Sequence, residues 1–331
     1  MSEIAPTVAD IGERALIRRI SARLVSPSWV VVGPGDDAAV VEPERRTLDV
    51  LTTDALVESV HFDRRFCPPD ALGHKALAVT LSDLAAMGAA PRAALLSLAL
   101  PDAFPVADVD RVLDGLLALA DRWAVALIGG NITRSPGPLV IDVTALGSVG
   151  PRRVLTRAGA RAGDDVYVTG TLGGGAAGLQ AFREGAKMPG AQERYLRPDP
   201  RVRAGVLLGR NRAATACMDL SDGLADGLRQ VAEASGVGIA IEAGAVPIEG
   251  AVMRWFAQHG ADPAVAAVAG GDDYELLFTS RPAWRGRLRA VRGHLSDLPI
   301  TRIGVVTKER TVVLRTRDGE RAVPEGFEHF R

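Results

Sequence analysis

The segment HKALAVTLSDLAAMGAAPRAALLSLAL, residues 74–100, joins an apolar helical pattern to an apolar strand pattern through a glycine-containing break. Its first part predicts a helix over 73–87, and its last part predicts a strand over 93–100. A second helical pattern at 109–123 and a short strand at 126–128 follow directly. Helices that alternate with strands in this way predict a mixed α/β (α+β) fold for the first half of the chain.

The same alternation continues through the 331 residues. A Gly- and Arg-rich stretch at 150–165 predicts a boundary between two domains, 1–150 and 151–331. In the first domain we further expect an amphipathic helix near 10–25 and strands at 30–32, 38–41, 48–53 and 139–149. In the second we expect strands at 166–169, 238–241, 275–279, 302–306 and 311–315, and helices near 175–184, 201–210, 222–234 and 283–293.

The composition excludes several classes of protein. Lys and Arg number 39 and Asp and Glu number 40, so the net charge of −1 does not support a nucleic-acid or membrane partner. The apolar stretches are far shorter than the roughly 20 residues that span a bilayer, and the N-terminus has no signal-peptide pattern. Two cysteines, Cys67 and Cys217, are too few for a disulfide framework or a zinc site. We expect a cytoplasmic protein.

A glycine-rich turn in VYVTGTLGGGAAGL, residues 166–179, is open to two interpretations. It could be a dinucleotide-binding turn that presents a helix N-terminus to a pyrophosphate. It could also be a tight turn whose glycines allow a strand and a helix to pack closely. We favour close packing, because no clean second βαβ unit with an acidic ribose ligand follows. A Walker A motif is absent from the sequence.

Aspartates stand in unusual places along the chain. Asp83 is the only charged residue between Ala76 and Ala90, and a carboxylate on an apolar helix is costly to bury unless it is paired or binds a metal. Others follow glycines or strand ends: Asp36, Asp37, Asp54, Asp219, Asp222, Asp272 and Asp273. Asp36 and Asp37 could simply be turn residues, and Asp222 could be a first-turn helix charge behind Ser221 as N-cap. Converging carboxylates without a Cys or His cluster favour Mg²⁺, which usually bridges to phosphates.

Several segments together resemble the thiamine-monophosphate kinase family. They are GDDAAV, TTDALVESVHF, HKALAVTLSDLAAMGA, GGNITRSPGPLVIDVTALG, LTRAGARAGDDVYVTGTLGGGAAGL, MDLSDGLADGL, GGDDYELLF and GFEHF, in this order from residue 35 to 330. The family belongs to a superfamily with aminoimidazole ribonucleotide synthetase and selenophosphate synthetase. The resemblance implies an N-terminal α/β domain that forms a β-barrel across a homodimer, a C-terminal α/β domain, and ATP-dependent phosphorylation of thiamine monophosphate to the diphosphate.

The resemblance also implies roles for individual residues, with several Mg²⁺ ions and ATP as co-substrate. Implied magnesium ligands are Asp37, Thr52, Thr53, Asp54, Asp83, Asn131, Asp219 and Asp222. Implied ATP contacts are Gly130, Asn131, Arg157 and Ser221, and implied substrate contacts are His61, Asp272 and Phe327. No side chain is implied as an acid or base catalyst.

The sequence departs from the family pattern at three positions. Asn131 stands where the family commonly has Asp, Asp272 where it has Glu, and Pro324 where some members have Trp. Two related enzyme classes are disfavoured, since selenophosphate synthetase needs a reactive Cys in an N-terminal loop and the hydrogenase-maturation relative needs a C-terminal Cys. A non-catalytic nucleotide or metabolite sensor is the alternative from another class.

Overall fold

The computed structural model describes residues 5–295 and 297–326. The chain divides into two compact units, the first containing residues up to Leu84 together with Ala90–Gly150. The second contains Ala85–Ala89 and the chain from Pro151 onward. Within the described parts of the chain, every helix is too short or too polar to span a lipid bilayer.

The first unit is built on a four-stranded sheet. Its helices are α1 (Val8–Ile11), α2 (Glu13–Ser21), α3 (Pro69–Ala86) and α4 (Val106–Trp123). Its strands are β1 (Val30–Val32), β2 (Val40–Val41), β3 (Leu48–Val57), β4 (Ala90–Leu100), β5 (Ala126–Arg134) and β6 (Val140–Val149). The sheet order is β3-β6-β4-β5, antiparallel except for the parallel pair β4 and β5, which α4 connects.

Close backbone contact brings α3 and α4 together in this unit. A Cβ added at Gly73 would lie 1.8 Å from the carbonyl oxygen of Val112, and one added at Gly115 would lie 1.8 Å from that of Asp70. Only glycine fits at either position. Helix α3 is apolar on nearly all sides because it is buried, with Leu77, Leu81 and Leu84 fully inaccessible.

The second unit is built on a seven-stranded sheet. Its strands are β7 (Asp165–Thr169), β8 (Ala216–Asp219), β9 (Gly238–Glu242), β10 (Leu276–Ser280), β11 (Ile300–Thr307), β12 (Val312–Thr316) and β13 (Gly319–Ala322), in the order β13-β12-β9-β11-β7-β10-β8. Its helices are α5 (Gly174–Glu184), α6 (Pro189–Leu196), α7 (Val202–Asn211), α8 (Leu224–Ser235), α9 (Gly250–Gln258), α10 (Pro263–Ala269) and α11 (Arg285–Gly293). Residues from the sheet and from α5, α8 and α10 share one apolar core.

The glycine-rich turn between β7 and α5 is not a dinucleotide-binding turn. Strand β7 pairs antiparallel with both of its neighbours, β10 and β11, so it does not belong to a parallel βαβ unit. A Cβ on Gly175 would lie 2.3 Å from the carbonyl oxygen of Asp272. The expectation that these glycines permit close packing is therefore confirmed.

The predicted strands and helices are confirmed in kind, and several bounds were wrong. Strand β3 continues to Val57, beyond the predicted end at Thr53, and β5 continues to Arg134 rather than ending at Ile128. Strand β3 pairs with β6, and β5 pairs with β4. This pairing extends β3 and β5, although polar or glycine residues interrupt their own apolar patterns. Elements absent from the predicted set include α1, α6, α9, α10, β8 and β13.

Candidate active site

Two adjacent elements of the first unit bring three of the proposed metal ligands together. Strand alternation turns Thr52 and Asp54 of β3 toward α3. The Thr52 hydroxyl donates a hydrogen bond to the carboxylate of Asp83. The hydroxyl of Thr80 of α3 favours the charged form of Asp54 and lowers its pKa. Asp83 lies in the last turn of α3, which contains no basic residue, so its charge is unfavourably placed against the helix dipole.

Asp54 is the most perturbed carboxylate of this group. Burial raises the pKa of Asp54 to about 6, with further upward contributions from the negative charges of Asp83 and Asp142. Its Oδ2 atom is buried without a hydrogen-bond partner in the described chain. Among described residues, no Lys or Arg forms an ion pair with any of these three carboxylates. Asp54 and Asp83 lie on one face of the sheet and Asp142 on the other, and carboxylates without ion-pair partners at these positions indicate a functional site rather than a structural network.

These residues fit a divalent cation. A buried oxygen acceptor without a donor and two neighbouring carboxylates supply hard, negatively charged ligands. In the described residues, no group of three or more Cys, His, Asp or Glu side chains is placed so that it could hold a metal ion. This arrangement suits Mg²⁺, which commonly takes one or two carboxylates and completes its shell with water and substrate phosphates.

The opposite face of the same sheet forms a cavity of about 830 Å³. Thr53 points to this face, where it contacts Asp142 at 3.2 Å and Thr144 at 3.0 Å. The consecutive residues Thr52, Thr53 and Asp54 therefore do not share one face, because successive strand side chains alternate. The cavity lining includes Asp36, Asp37, Gly129, Gly130, Asn131, Asp142 and Thr144, with apolar residues of α2 along one wall.

Asn131 and Asp142 approach this cavity from two strands. Both are paired in register with Ser97 of the intervening strand β4, so both side chains leave the sheet on the same face. Gly130 precedes Asn131, and a Cβ there would lie 1.9 Å from the carbonyl oxygen of Leu96. The glycine thus allows β5 to pass close to β4 immediately before Asn131.

His61 lies in a turn that follows β3. Its Nδ1 accepts a hydrogen bond from the backbone N–H of Val57 at 3.0 Å, so the neutral ring carries its proton on Nε2. Ser59 has a φ of 71° within this turn, and its N–H donates to the carbonyl oxygen of Phe62 at 2.7 Å. The turn therefore fixes the ring. His61 is not among the residues that line the cavity.

In the second unit, the end of β8 and the segment before β10 run side by side. Asp219 is the last residue of β8 and is buried. The N–H of Asp272 donates to the carbonyl oxygen of Ser221 at 2.7 Å, and that of Tyr274 donates to Leu220 at 2.9 Å. Backbone hydrogen bonds thus join the segment that contains Asp219, Ser221 and Asp222 to the one that contains Asp272.

Helix α8 begins later than the sequence predicts. Its N-cap is Gly223, with a φ of 96°, and its first residue is Leu224. Ser221 is therefore not the N-cap, because the chain makes an additional turn before entering the helix. Asp222 lies in that turn.

Arg157 is held on the surface of α8. Its Nη1 donates to Gln230 Oε1 at 2.5 Å, and Gln230 in turn donates to Asp226. Asp226 and Gln230 are spaced four residues apart on α8 and so lie on the same face of the helix, where Arg157 is held.

The C-terminal tail reaches the same helix. Arg229 donates to the carbonyl oxygens of Val323 at 2.9 Å and Pro324 at 2.7 Å. A Cβ on Gly326 would lie 3.2 Å from the carbonyl oxygen of Asp222. Phe327, the proposed aromatic contact to the substrate, lies outside the described residues.

The sequence assigns no site role to two acidic residues of these regions, Asp142 and Asp273. Asp142 occupies the polar position of an alternating strand pattern in which its neighbours Ile141 and Val143 are fully buried, and that alternation is the signal that could have revealed it. Asp273 directly follows Asp272, and the sequence does not distinguish their environments. Asp273 is buried, and its carboxylate accepts hydrogen bonds from Gly173 N–H at 2.7 Å and Gly175 N–H at 3.2 Å.

Both halves of the chain match known domain families. Residues 35–149 match the family described as AIR synthase related protein, N-terminal domain, and residues 161–317 match AIR synthase related protein, C-terminal domain. Together they cover more than half of the chain, so this is a two-domain protein of the AIR synthase related class.

Full-length relatives define the family more narrowly. The thiamine-monophosphate kinase of Escherichia coli strain K12 is 40% identical, with 96% of this chain and 98% of that protein aligned. The crystal structure of thiamine-monophosphate kinase from Stenotrophomonas maltophilia K279a is 40% identical, with a TM-score of 0.81, and covers 90% of this chain and 95% of that one. A structure described as AaThiL complexed with AMPPCP and TMP is 33% identical, with a TM-score of 0.77, and covers 99% of this chain and 100% of that one. The chain belongs to the thiamine-monophosphate kinase family.

Proposed function

We propose that this protein transfers the γ-phosphoryl group of ATP to thiamine monophosphate, giving thiamine diphosphate and ADP. The observation that carries the proposal is the full-length match to a 33% identical structure described as complexed with AMPPCP and TMP. The uncompensated carboxylates at Asp54, Asp83 and Asp142 support it, because a reaction between two phosphorylated molecules needs bound cations. The use of ATP also supports the expected cytoplasmic location.

The proposed magnesium ligands divide between the two units. In the first, Thr52, Asp54 and Asp83 would hold cations on the α3 side of the sheet, and Asp37, Thr53 and Asn131 would do so on the cavity side. In the second, Asp219 and Asp222 would contribute from the β8–α8 turn. Bound Mg²⁺ supplies positive charge that screens the repulsion between two polyanions and stabilises the transferring phosphoryl group.

The chain would act mainly by positioning. The acceptor phosphate is largely dianionic at neutral pH and is already a nucleophile, so no side chain needs to remove a proton. Gly130 and Asn131 would contact ATP from the cavity, and Ser221 and Arg157 would do so from the α8 region. Arginine suits this role because its planar guanidinium can bind phosphate oxygens in a bidentate manner.

The proposed substrate contacts are His61, Asp272 and Phe327. His61 has a fixed Nε2–H tautomer and is therefore suited to donate a hydrogen bond to an acceptor on thiamine monophosphate. Asp272 would accept one. Its side chain is shorter than the Glu of the family pattern, and its backbone is placed by the contact to Ser221.

We further propose that the protein is a homodimer whose first units pair through their sheets into a β-barrel. Support comes from two large apolar side chains left exposed on the cavity face of the four-stranded sheet, Leu51 and Leu95, at 69% and 40% exposure. Apolar side chains grouped on one sheet face are typical of a surface that another protein copy covers. Domain 1–150 would thus provide dimerisation and much of the ATP and Mg²⁺ site.

The test is a direct assay of product formation. Purified protein with ATP, Mg²⁺ and thiamine monophosphate should yield equal amounts of ADP and thiamine diphosphate by chromatography. Asp54→Asn should lose at least 100-fold in kcat, as expected when a ligand that stabilises the transition state is removed. ATP binding without diphosphate formation across a broad Mg²⁺ range would instead support a nucleotide sensor.

A further inference from the structure

The N-terminus of helix α5 is occupied by a carboxylate of the protein itself. Asp273 Oδ2 accepts the N–H of Gly173 and Oδ1 accepts the N–H of Gly175, at 2.7 and 3.2 Å. These are the donors that a helix N-terminus offers to anions. The Asp273 side chain is only 1% exposed, so solvent does not provide its hydrogen bonds.

Cationic side chains complete the surroundings of Asp273. Arg194 Nη2 lies 3.6 Å from Asp273 Oδ1 and 3.6 Å from Glu275 Oε1. Glu275 is fully buried and forms two hydrogen bonds with Arg201, at 2.5 and 2.7 Å. Burial raises the pKa of Asp273 to about 7, although Arg194 and the two glycine N–H groups oppose this shift. The chain thus keeps a carboxylate in a place where burial disfavours its charge.

Asp273 lies between two residues with left-handed backbones. Asp272 has a φ of 62° and Tyr274 a φ of 50°, a region that residues with a Cβ rarely adopt and that surrounding contacts must maintain. On one side of this segment, Asp273 is tied to α5. On the other, the N–H groups of Asp272 and Tyr274 are tied to Ser221 and Leu220.

This geometry aims the Asp272 side chain. Tyr274 donates its hydroxyl hydrogen to Asp272 Oδ1 at 3.2 Å. The glycines of the turn leave space for the segment, since a Cβ on Gly175 would lie 2.3 Å from the Asp272 carbonyl oxygen and 2.8 Å from its Cβ. Loss of the Asp273 anchor would free the segment to leave the left-handed conformation, and Asp272 would move with it.

We infer that Asp273 is a positioning residue that acts through Asp272, holding it in the orientation that binds thiamine monophosphate. The inference rests on the proposed function and extends it to a residue that does not itself touch the substrate. The Asp273 carboxylate takes the place of a bound anion at the N-terminus of α5. The backbone N–H groups of the glycine-rich turn bind it.

The first test is Asp273→Asn, which keeps the side-chain shape but directs an amide toward one of the glycine N–H donors. We expect the KM for thiamine monophosphate to rise about tenfold, with the KM for ATP changed less than twofold. Calorimetric titration with thiamine monophosphate in the presence of AMPPCP should show the same loss of affinity. A purely structural role would lower the fraction of active protein, and so kcat, and leave the KM unchanged.

A double-mutant cycle tests whether Asp273 acts through Asp272. The KM of Asp272→Ala/Asp273→Asn should equal that of Asp272→Ala alone. The inference would be overturned if the effects of the two substitutions on the KM for thiamine monophosphate multiply. It would also be overturned if folded Asp273→Asn has an unchanged KM. Activity of the wild-type protein is measured first, so its absence would reject the proposed function rather than this assignment.

Gly175→Ala provides a second route if Asp273→Asn does not fold. The added methyl group of Gly175→Ala displaces Asp272 by steric contact, while the charge of Asp273 is kept. We expect the same selective rise in KM for thiamine monophosphate. Gly190→Ala, at a helical glycine with open space around it, is the matched control and should leave both KM values unchanged. A Gly175→Ala protein with a normal KM would contradict the inference.

Discussion

Asp54 illustrates how a residue of a functional site can lower the stability of the folded protein. Its pKa is raised from 3.8 to about 6, chiefly by burial. The folded state therefore holds the proton more tightly than the unfolded state, and the contribution of Asp54 to stability declines as pH rises from about 4 to above 6. At neutral pH the ionised carboxylate is destabilising unless a cation compensates it.

We therefore predict that Asp54→Asn increases the free energy of unfolding at pH 7 in the absence of divalent cations. The expected gain is up to about 3 kcal/mol, from a shift of roughly two pKa units at 1.36 kcal/mol each. It should largely disappear at pH 4. Urea denaturation at the two pH values measures it, with Asp49→Asn, an exposed carboxylate of the same strand, as control. A gain that is equal at both pH values would contradict the electrostatic cause.

The proposed role of Asn131 as a ligand for Mg²⁺ leads to a second prediction. Asn131 lines the cavity together with Asp37 and Asp142, and an amide oxygen is a weaker ligand for Mg²⁺ than a carboxylate. Asn131→Asp should lower the Mg²⁺ concentration needed for half-maximal kinase rate by about threefold or more. Asn211→Asp, in the second unit, should not change it. An unaltered Mg²⁺ curve for Asn131→Asp would show that this position is not a ligand.

Among the elements, α3 is the one whose placement depends most on glycine. It carries Thr80 and Asp83 to the β3 side chains, and its distance from α4 is set by Gly73 and Gly115. Either glycine leaves its helix backbone in direct contact with a carbonyl of the other helix. A larger residue would push α3 away and disturb the carboxylate group.

Gly73→Ala should destabilise the protein by about 2–3 kcal/mol, as expected for overpacking at a backbone contact. The sign is informative, because alanine in an uncrowded helix would stabilise it by about 1 kcal/mol. Thermal unfolding monitored by circular dichroism provides the measurement. Gly137→Ala, at a position with open space, should change stability by less than about 0.5 kcal/mol. A stabilised Gly73→Ala protein would refute the close helix contact.

For the whole molecule, the proposed homodimer depends on the apolar sheet face. Leu51 is 69% exposed and also lines the cavity, whereas Val25 is 84% exposed and does not line it. Leu51→Glu would place a charge in the proposed interface, where burial without a partner is costly. Val25→Glu adds the same charge to an exposed apolar position elsewhere.

We predict that the wild-type protein and Val25→Glu sediment as dimers and that Leu51→Glu sediments as a monomer. Sedimentation equilibrium over a tenfold concentration range distinguishes the species. If Leu51→Glu remains dimeric, the partner contacts a different surface. A monomeric wild type would remove the homodimer proposal altogether.

The prediction of elements from the sequence succeeded where local periodicity was strong. The helix over 73–87 and the strand over 93–100 are present as α3 and β4 because each carries its own apolar pattern. The glycine and polar residues at 129–131 were not predicted as strand, because pairing with β4 supplies the backbone hydrogen bonds that their propensities do not favour. Short helices such as α6 and α10 also depend on packing rather than on pattern.

The linear order of residues was sufficient to indicate an acidic, phosphate-directed site and the family, because residue types and their order are properties of the chain itself. Which side each residue faces was settled by folding. Strand alternation separates Thr53 from Thr52 and Asp54, and the pairing of β4 with both β5 and β6 brings Asp142 to the face of Asn131. The neighbours Asp272 and Asp273 look equivalent in the sequence, but only Asp273 fills the α5 N-terminus, since its surroundings come from residues about 80 to 100 positions away.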